Sequence, residues 1–422
     1  MEHLTHIGFY EGGYGPVAVS LTREQRYEHL ALLGATGVGK SSLLRSIAAQ
    51  DIARGDGLLY LDPHGDDAAA LLDSIPPWRQ NHVCYFNLAD LEWPIAINVL
   101  EHTHPDDRAA TADALVSALR DIWFDSMTAA PRMENVLRHA TIALLDVPKA
   151  TIALIPRLLT DDTFRMQVVP HISNPVTRAF FEDRFEGWRD AFRAEAIEPV
   201  LTRLDAVLSF PAVLNSLGQY QRTLRIENAM LGNRIVIVNL AKGLIGETAA
   251  HLMGALLIAR VRAATMARAR MAPQDRRDFH VLVDELQNFA TNSVPSLLAE
   301  ARKYRVSFAF ATQILSALSE RTRAALLGTT GSIAAFRLGP EDAAVIGPRF
   351  NQLHRDFNEH LLYELDRAEA IVRVGAHDFR RVACSLPPTG YGSGGIVRRQ
   401  SRRHYARPRS DVERWVRRMM RA

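Results

Sequence analysis

The chain has 422 residues, 47% of them hydrophobic, and a net charge of only +3, which reads as a soluble globular protein with a large core and more than one packed unit. Its two cysteines, Cys84 and Cys384, cannot make a four-ligand zinc site by themselves and read as ordinary core residues of a reducing compartment. A membrane span needs roughly 20 apolar residues, but the stretch Leu252 to Val261 already carries Arg260, and Met1 to Gly12 has no basic segment followed by an apolar run. The expected address is therefore cytoplasmic, with no direct membrane insertion.

In chain order, the apolar run His29 to Leu33 leads into Gly34-Ala35-Thr36-Gly37-Val38-Gly39-Lys40-Ser41, and Lys40 to Gln50 then shows helical spacing of Leu43, Leu44, Ile47 and Ala48. Strand, glycine-rich loop and helix in that order form a phosphate-binding loop. The glycines let backbone N–H groups face phosphate oxygens, and the helix adds its positive end. Lys40 reaches the β/γ-phosphates of ATP and the Ser41 hydroxyl binds Mg2+, with Ser42 completing the nucleotide-binding set.

Gly57 to Leu61 is the next buried-strand candidate and ends at Asp62; Asp62, His64 and Asp66 follow at a spacing too tight for a supported metal site. His82 to Phe86 is another strand. From Pro105 to about Ile226 the pattern turns helical, in Ala110 to Ile122, Arg132 to Leu145 and Glu198 to Leu208, the last with Pro199 at its start. Strands resume at Arg234 to Asn239, Phe279 to Val283, Val306 to Ala311 and Ser332 to Phe336, and most are apolar throughout, as strands covered on both faces are.

The strand Phe279 to Val283 ends in Asp284 and Glu285. Beside a phosphate-binding loop, the first carboxylate suits the magnesium shell and the second the polarisation of the attacking water. Gln313 follows the strand Val306 to Thr312 at the same carboxyl edge, where ligands gather in parallel sheets. Arg302, Arg305 and Arg337 are the candidates for additional positive charge at the γ-phosphate. Ala370 to Val374 and Arg380 to Cys384, flanking Ala376 to Asp378, read as a hairpin at a sheet edge. Beyond the linker Gly392 to Gly395, ten arginines from Arg398 onward face only Asp411 and Glu413, either a phosphate-neutralising element or a solvated, partly ordered tail.

Together, Arg26-Tyr27-Glu28-His29, Leu61-Asp62-Pro63-His64-Gly65, Val283 to Phe289, Glu300-Ala301-Arg302-Lys303-Tyr304, Gln313 and Phe336-Arg337-Leu338-Gly339 resemble HerA/FtsK-superfamily ATPases, and most of all the TraG/TraD-like conjugative coupling branch. The resemblance implies an α/β fold: a RecA-like P-loop NTPase core with a mostly parallel central sheet and an inserted all-α domain. The expected divisions are 1–104 and 227–391 for the core, 105–226 for the insertion and 392–422 for the linker and basic tail. It also implies a hexameric ring with shared ATP sites and DNA in the pore. Carried over by motif, Asp62 and Glu285 support hydrolysis, Gln313 senses the γ-phosphate and Arg302 is the finger offered in trans, with Arg337 the second choice. Two departures stand out: coupling proteins commonly read Asp-Pro-Lys where this chain has His64, and the 28 residues ahead of His29 are too few for the β-barrel of HerA proteins. The expected function is a DNA translocase feeding a nuclease, defence or secretion partner; the competing reading is an ATP-gated scaffold that regulates an effector without moving DNA.

Overall fold

Short, wholly apolar runs make strands that need cover on both faces, and the larger part of the chain is built around them. The computed structural model describes residues 3–101, 104–123, 130–221, 224–289, 294–351, 357–375 and 379–421. The chain divides into two compact units, one of residues 1–85, 228–239 and 268–400, the other of residues 86–227, 240–267 and 401–422. Relative to the expected divisions, residues 86–104, 240–267 and 401–422 fall in the unit that holds the helical residues 105–226, and residues 392–400 fall in the other.

An eleven-stranded sheet organises the first unit. Its strands are β1 (Thr5–Gly12), β2 (Gly15–Leu21), β3 (Leu30–Leu33), β4 (Gly57–Asp62), β5 (Val83–Asn87), β6 (Ile235–Asn239), β7 (Phe279–Val283), β8 (Val306–Thr312), β9 (Ser332–Ala335), β10 (Glu369–Val374) and β11 (Arg380–Cys384). They lie in the order β2-β1-β11-β10-β9-β3-β8-β7-β4-β6-β5. From β9 through β3, β8, β7 and β4 to β6 every pairing is parallel. On the other side β9, β10, β11, β1 and β2 pair antiparallel. Three short or medium helices matter for the site: α1 (Arg23–Tyr27), α2 (Lys40–Arg54) and α3 (Asp66–Asp73). Leu44 and Ile47 of α2 pack in one buried cluster with Leu32, Leu58, Tyr60, Leu282 and Phe336.

Several expectations are corrected. The β10–β11 hairpin forms, but it is interior, because β1 pairs with β11 and leaves β2 at the edge; its tip, Ala376 to Asp378, lies outside the described residues. Pro199 sits inside the helix Asp190–Leu208, since the good helix formers upstream carry the helix past it despite the lost N–H. Gly392 to Gly395 is no linker: the Ser393 hydroxyl donates to the Leu72 and Ile75 carbonyls at 3.0 and 2.7 Å, and a helix starts at Gly394. The basic segment beyond is two helices, Gly394–Tyr405 and Arg409–Arg421, in which Val397, Val412, Val416 and Met419 are buried, as is Ala406 between them.

The second unit is helical. Its long helix Glu247–Ala267 is buried over most of its length and contains the apolar run noted above, with Arg260 paired to Glu227 at 2.7 Å and donating to the Glu101 carbonyl at 2.6 Å. Arg165, 1% exposed, pairs with Glu186 at 2.6 Å beneath the Phe180, Phe181 and Phe185 cluster. No single helix among the described residues is long and apolar enough to cross a membrane. Both cysteines are buried and free, and burial pushes both thiols above their ordinary range.

His29, just before β3, is 1% exposed and at a positive φ of 67°, and it ties the helix Val294–Ala301 to β8: its Nε2 donates to the Leu298 carbonyl at 2.8 Å and its Nδ1 accepts from the Phe308 amide at 3.1 Å. Burial lowers its pKa from 6.5 to about 4. The unfolded chain therefore takes up a proton near pH 6.5 that the folded chain refuses, so stability is full above that pH and declines as pH falls toward 4, by about 3 kcal/mol. Thermal melts of the native chain should drop more steeply over this interval than those of His29→Asn, whose side chain tolerates the left-handed backbone and does not titrate.

Candidate functional site

β3 is buried throughout and delivers the chain to Gly34 between β8 and β9. The loop is fastened on both sides, the Gly34 amide donating to the Thr312 carbonyl at 3.4 Å and the Ala35 amide to the Arg337 carbonyl at 2.9 Å. A Cβ at Gly34 would lie 2.7 Å from the Phe336 Cβ, and Gly39, at φ 114°, packs against the Ala368 backbone, so neither position takes a larger residue without strain. Gly39 gives α2 no side-chain cap, which leaves the first amides of that helix, at Lys40, Ser41 and Ser42, for an anion. Lys40 is 5% exposed, and its ammonium donates to the Gly34 and Ala35 carbonyls, both at 2.7 Å. Thus Gly34, Ala35, Thr36, Gly37, Val38 and Gly39 wrap one buried cation.

Across the sheet, Asp284 ends β7 with its amide bonded to the Leu61 carbonyl at 2.9 Å. Its carboxyl is raised to about 6, chiefly by burial and further by Asp62, Asp67 and Glu285, while a hydrogen bond from Ser41 opposes the shift. Lys40 is pushed down by burial and held up by Asp284 and Glu285. Loop and acidic pair therefore meet in one electrostatic unit, although they are more than 240 residues apart in sequence.

The Glu285 backbone is left-handed at φ 50°. Its carboxylate accepts from the Asn288 and Gln287 amides at 3.3 and 3.5 Å and lies 3.5 Å from His64 Nε2. Gln287 in turn accepts from the Thr312 hydroxyl at 2.8 Å. Asp62, 1% exposed, uses its two carboxylate oxygens on the His64 and Ala68 amides, both at 2.8 Å. It holds the turn that brings His64 to Glu285. Asn239, opposite Asp62 in register, closes the same turn against Gly65, where any Cβ would meet its side chain.

The model of the family "Helicase HerA, central domain" matches residues 7–261, more than half of the chain. The chain belongs to this family. Among solved structures, the HerA-type chain is similar to the plasmid coupling protein TrwB in complex with ADP and Mg2+, at 16% identity and a TM-score of 0.61 over 88% of this chain and 89% of that one. TrwB with a non-hydrolysable ATP analogue gives 16% and 0.63 over 87% and 88%. VirB4 of Thermoanaerobacter pseudethanolicus gives 15% and 0.60 over 90% and 96%. No curated protein matches. These likenesses establish a RecA-like P-loop NTPase fold with a mostly parallel sheet and a helical insertion.

For a HerA-type core the remaining candidates fall at two ends of the sheet. Gln313 lies at the carboxyl edge, where its side-chain oxygen accepts from the Thr36 hydroxyl of the loop at 2.7 Å. Both line a cleft of about 500 Å³ with Ala35, Ile314, Pro340 and Asp342. Arg337 is exposed at that edge too, and its carbonyl anchors Ala35. Arg302 precedes β8, at the opposite end of a seven-residue strand that spans about 20 Å. It is not brought to its own chain's loop, and pairs instead with Glu28 at 3.1 Å. Arg305 is tied to Asp278 at 2.8 Å. Sequence reasoning missed Asn239, Gln287 and Asn288 and left His64 without a role; only the polar run after Glu285 hinted at them.

The residues fit a magnesium nucleotide. A buried carboxylate beside a hydroxyl is the kind of partial ligand set magnesium takes when substrate phosphates complete it, and the uncapped helix and Lys40 would be its phosphate cradle. Fluorescent-nucleotide titrations should show Lys40→Ala weakening nucleotide binding by about 10- to 100-fold, the cost of removing a charge-assisted hydrogen bond. Ser41→Ala should lose chiefly the increment that added Mg2+ gives.

Proposed function

We propose that the chain is a ring-forming, ATP-hydrolysing DNA translocase, and that each nucleotide site is completed by a neighbouring subunit. The observation that carries this is the convergence of Lys40, Ser41, Asp284 and Glu285 at one sheet edge, in a chain of the HerA central-domain family. A conjugative coupling protein and VirB4 share its fold, which supports the motor reading.

In this reading Lys40 and the α2 amides hold the β- and γ-phosphates, and Ser41 and Asp284 hold Mg2+. Bound there, the ion neutralises charge on the phosphate oxygens. Glu285 orients a water for in-line attack and takes its proton. His64, Gln287 and Asn288 fix the direction of that carboxylate, and Gln313, bonded to Thr36, reads the γ-phosphate. Arg302, some 20 Å from its own loop by strand length, supplies positive charge to the adjacent subunit's site. The partner that receives DNA is a nuclease, a defence effector or a secretion channel.

Steady-state assays on the full chain should show ATP hydrolysis stimulated by DNA. Glu285→Gln should abolish turnover while nucleotide binding persists. Hydrolysis indifferent to duplex and single-stranded DNA, together with nucleotide-dependent capture of a partner and no displacement of a triplex, would favour the scaffold reading instead.

The C-terminal helices suggest where DNA is held. Truncation would expose the apolar face that Val412, Val416 and Met419 bury, so surface substitution is the cleaner probe. Arg414, Arg417 and Arg418 are exposed on the helix Arg409–Arg421. Replacing the three with alanine should weaken duplex binding in anisotropy titrations and flatten its salt dependence by about 0.9 for each phosphate no longer neutralised. Unchanged affinity and slope would return this face to solvent.

A further inference from the structure

Helix α1 is only five residues long, yet with the residue after it, Glu28, it reaches the amino-terminal ends of three core strands. Arg23 and Tyr27 both bond Asp278, the residue before β7. Arg305, before β8, reaches Asp278 at 2.8 Å and the Tyr27 hydroxyl at 3.3 Å. Glu28 pairs with Arg302 at 3.1 Å, and its carbonyl accepts from the Gly331 amide at 2.6 Å, just before β9. Gly331 is needed there, since a Cβ would sit 2.6 Å from Glu28 Cβ and 2.7 Å from its carboxylate. The short segment Arg302 to Arg305 is thus gripped at both ends by one turn of chain.

That turn runs directly into β3 and the phosphate-binding loop. Arg302 itself is exposed and, without Glu28, would be a long side chain free to sample many rotamers. A finger that must meet a γ-phosphate in another subunit gains from being held near one direction beforehand.

We infer that Glu28 is the positioning residue for Arg302, and that α1 with Glu28 forms a clamp linking the finger a subunit presents to its neighbour with the strand that carries its own phosphate-binding loop. This rests on the reading of Arg302 as a finger acting in trans. Glu28 touches no nucleotide in this scheme; it acts through the arginine.

The test uses the full chain under DNA-stimulated conditions. Glu28→Ala should lower kcat by roughly tenfold, a small part of the thousandfold or more that a finger supplies, with KM for ATP within about twofold of the native value. Glu28→Gln, whose amide oxygen still accepts from the guanidinium, should recover part of the loss. Gly331→Ala, which displaces the Glu28 side chain and contacts neither nucleotide nor Arg302, should reproduce it. Subunit mixing separates the clamp from the finger. Arg302→Ala and Lys40→Ala chains, each inactive alone, should regain activity when mixed, because one provides the loop and the other the arginine. Glu28→Ala chains should likewise gain activity from Lys40→Ala partners and none from Arg302→Ala partners. A native kcat for Glu28→Ala while the first mixture complements overturns the clamp and leaves the finger standing. A raised KM or a lowered melting temperature with kcat intact reduces Glu28 to a structural contact. If the first mixture stays inactive, the trans finger and the clamp fall together.

Discussion

The site depends on β8 lying between β3 and β7. Adjacent strands stand about 4.8 Å apart, so the ends of the loop-bearing strand and the acid-bearing strand are separated by about 10 Å. That gap is wide enough for phosphates and an ion and narrow enough for Ser41 to bond Asp284. Register does the rest: Leu33 stands opposite Thr312 and Val283 opposite Phe310, which brings Gly34, Gln313 and Asp284 out at one edge. Thr312 then joins the two sides, its carbonyl accepting from Gly34 and its hydroxyl donating to Gln287.

Charge is sorted between the two ends of these strands. At the carboxyl edge Asp67 is paired with Arg45 at 3.3 Å, while Asp62, Asp284 and Glu285 act on one another around buried Lys40, an arrangement still short of positive charge. Near the amino-terminal end, Asp51, Asp56 and His280 place ligand atoms within 4.8 Å of one another, yet this cluster is already neutralised. Arg26 bonds Asp51 at 2.9 Å with both side chains buried, and Arg54 reaches Asp51 and Asp56. Breaking such a buried pair leaves a charge without water or partner, so this end serves to lock α1 and α2 together, and an open demand for cations remains at the loop.

The parallel half of the sheet was legible because residues such as Leu30–Leu33 and Val306–Thr312 are apolar throughout, and only strands covered on both faces read that way. β1 and β2 were not, since they are half-exposed and neither is apolar throughout. The loop and the acidic pair were legible for a different reason: their chemistry is local, carried by consecutive residues. His64, Asn239 and Gln287 acquire their partners across strand ends, so nothing in their own neighbourhoods announces them. The basic segment misled by composition. Its arginine count dominates the reading, whereas Val412, Val416 and Met419, at helical spacing, carry the information that it folds.

The pairing of β1 with β11 sets Gly8 opposite Cys384 and Phe9 opposite Ala383, joining segments more than 370 residues apart in sequence. Contacts this distant in sequence form late, because the intervening chain must be ordered before they are rewarded. Until β10 and β11 have formed, the hairpin of β1 and β2 has no sheet to join and stands as an unpaired edge open to other chains. The same ribbon that extends the finished sheet is therefore exposed to wrong pairing while the chain folds.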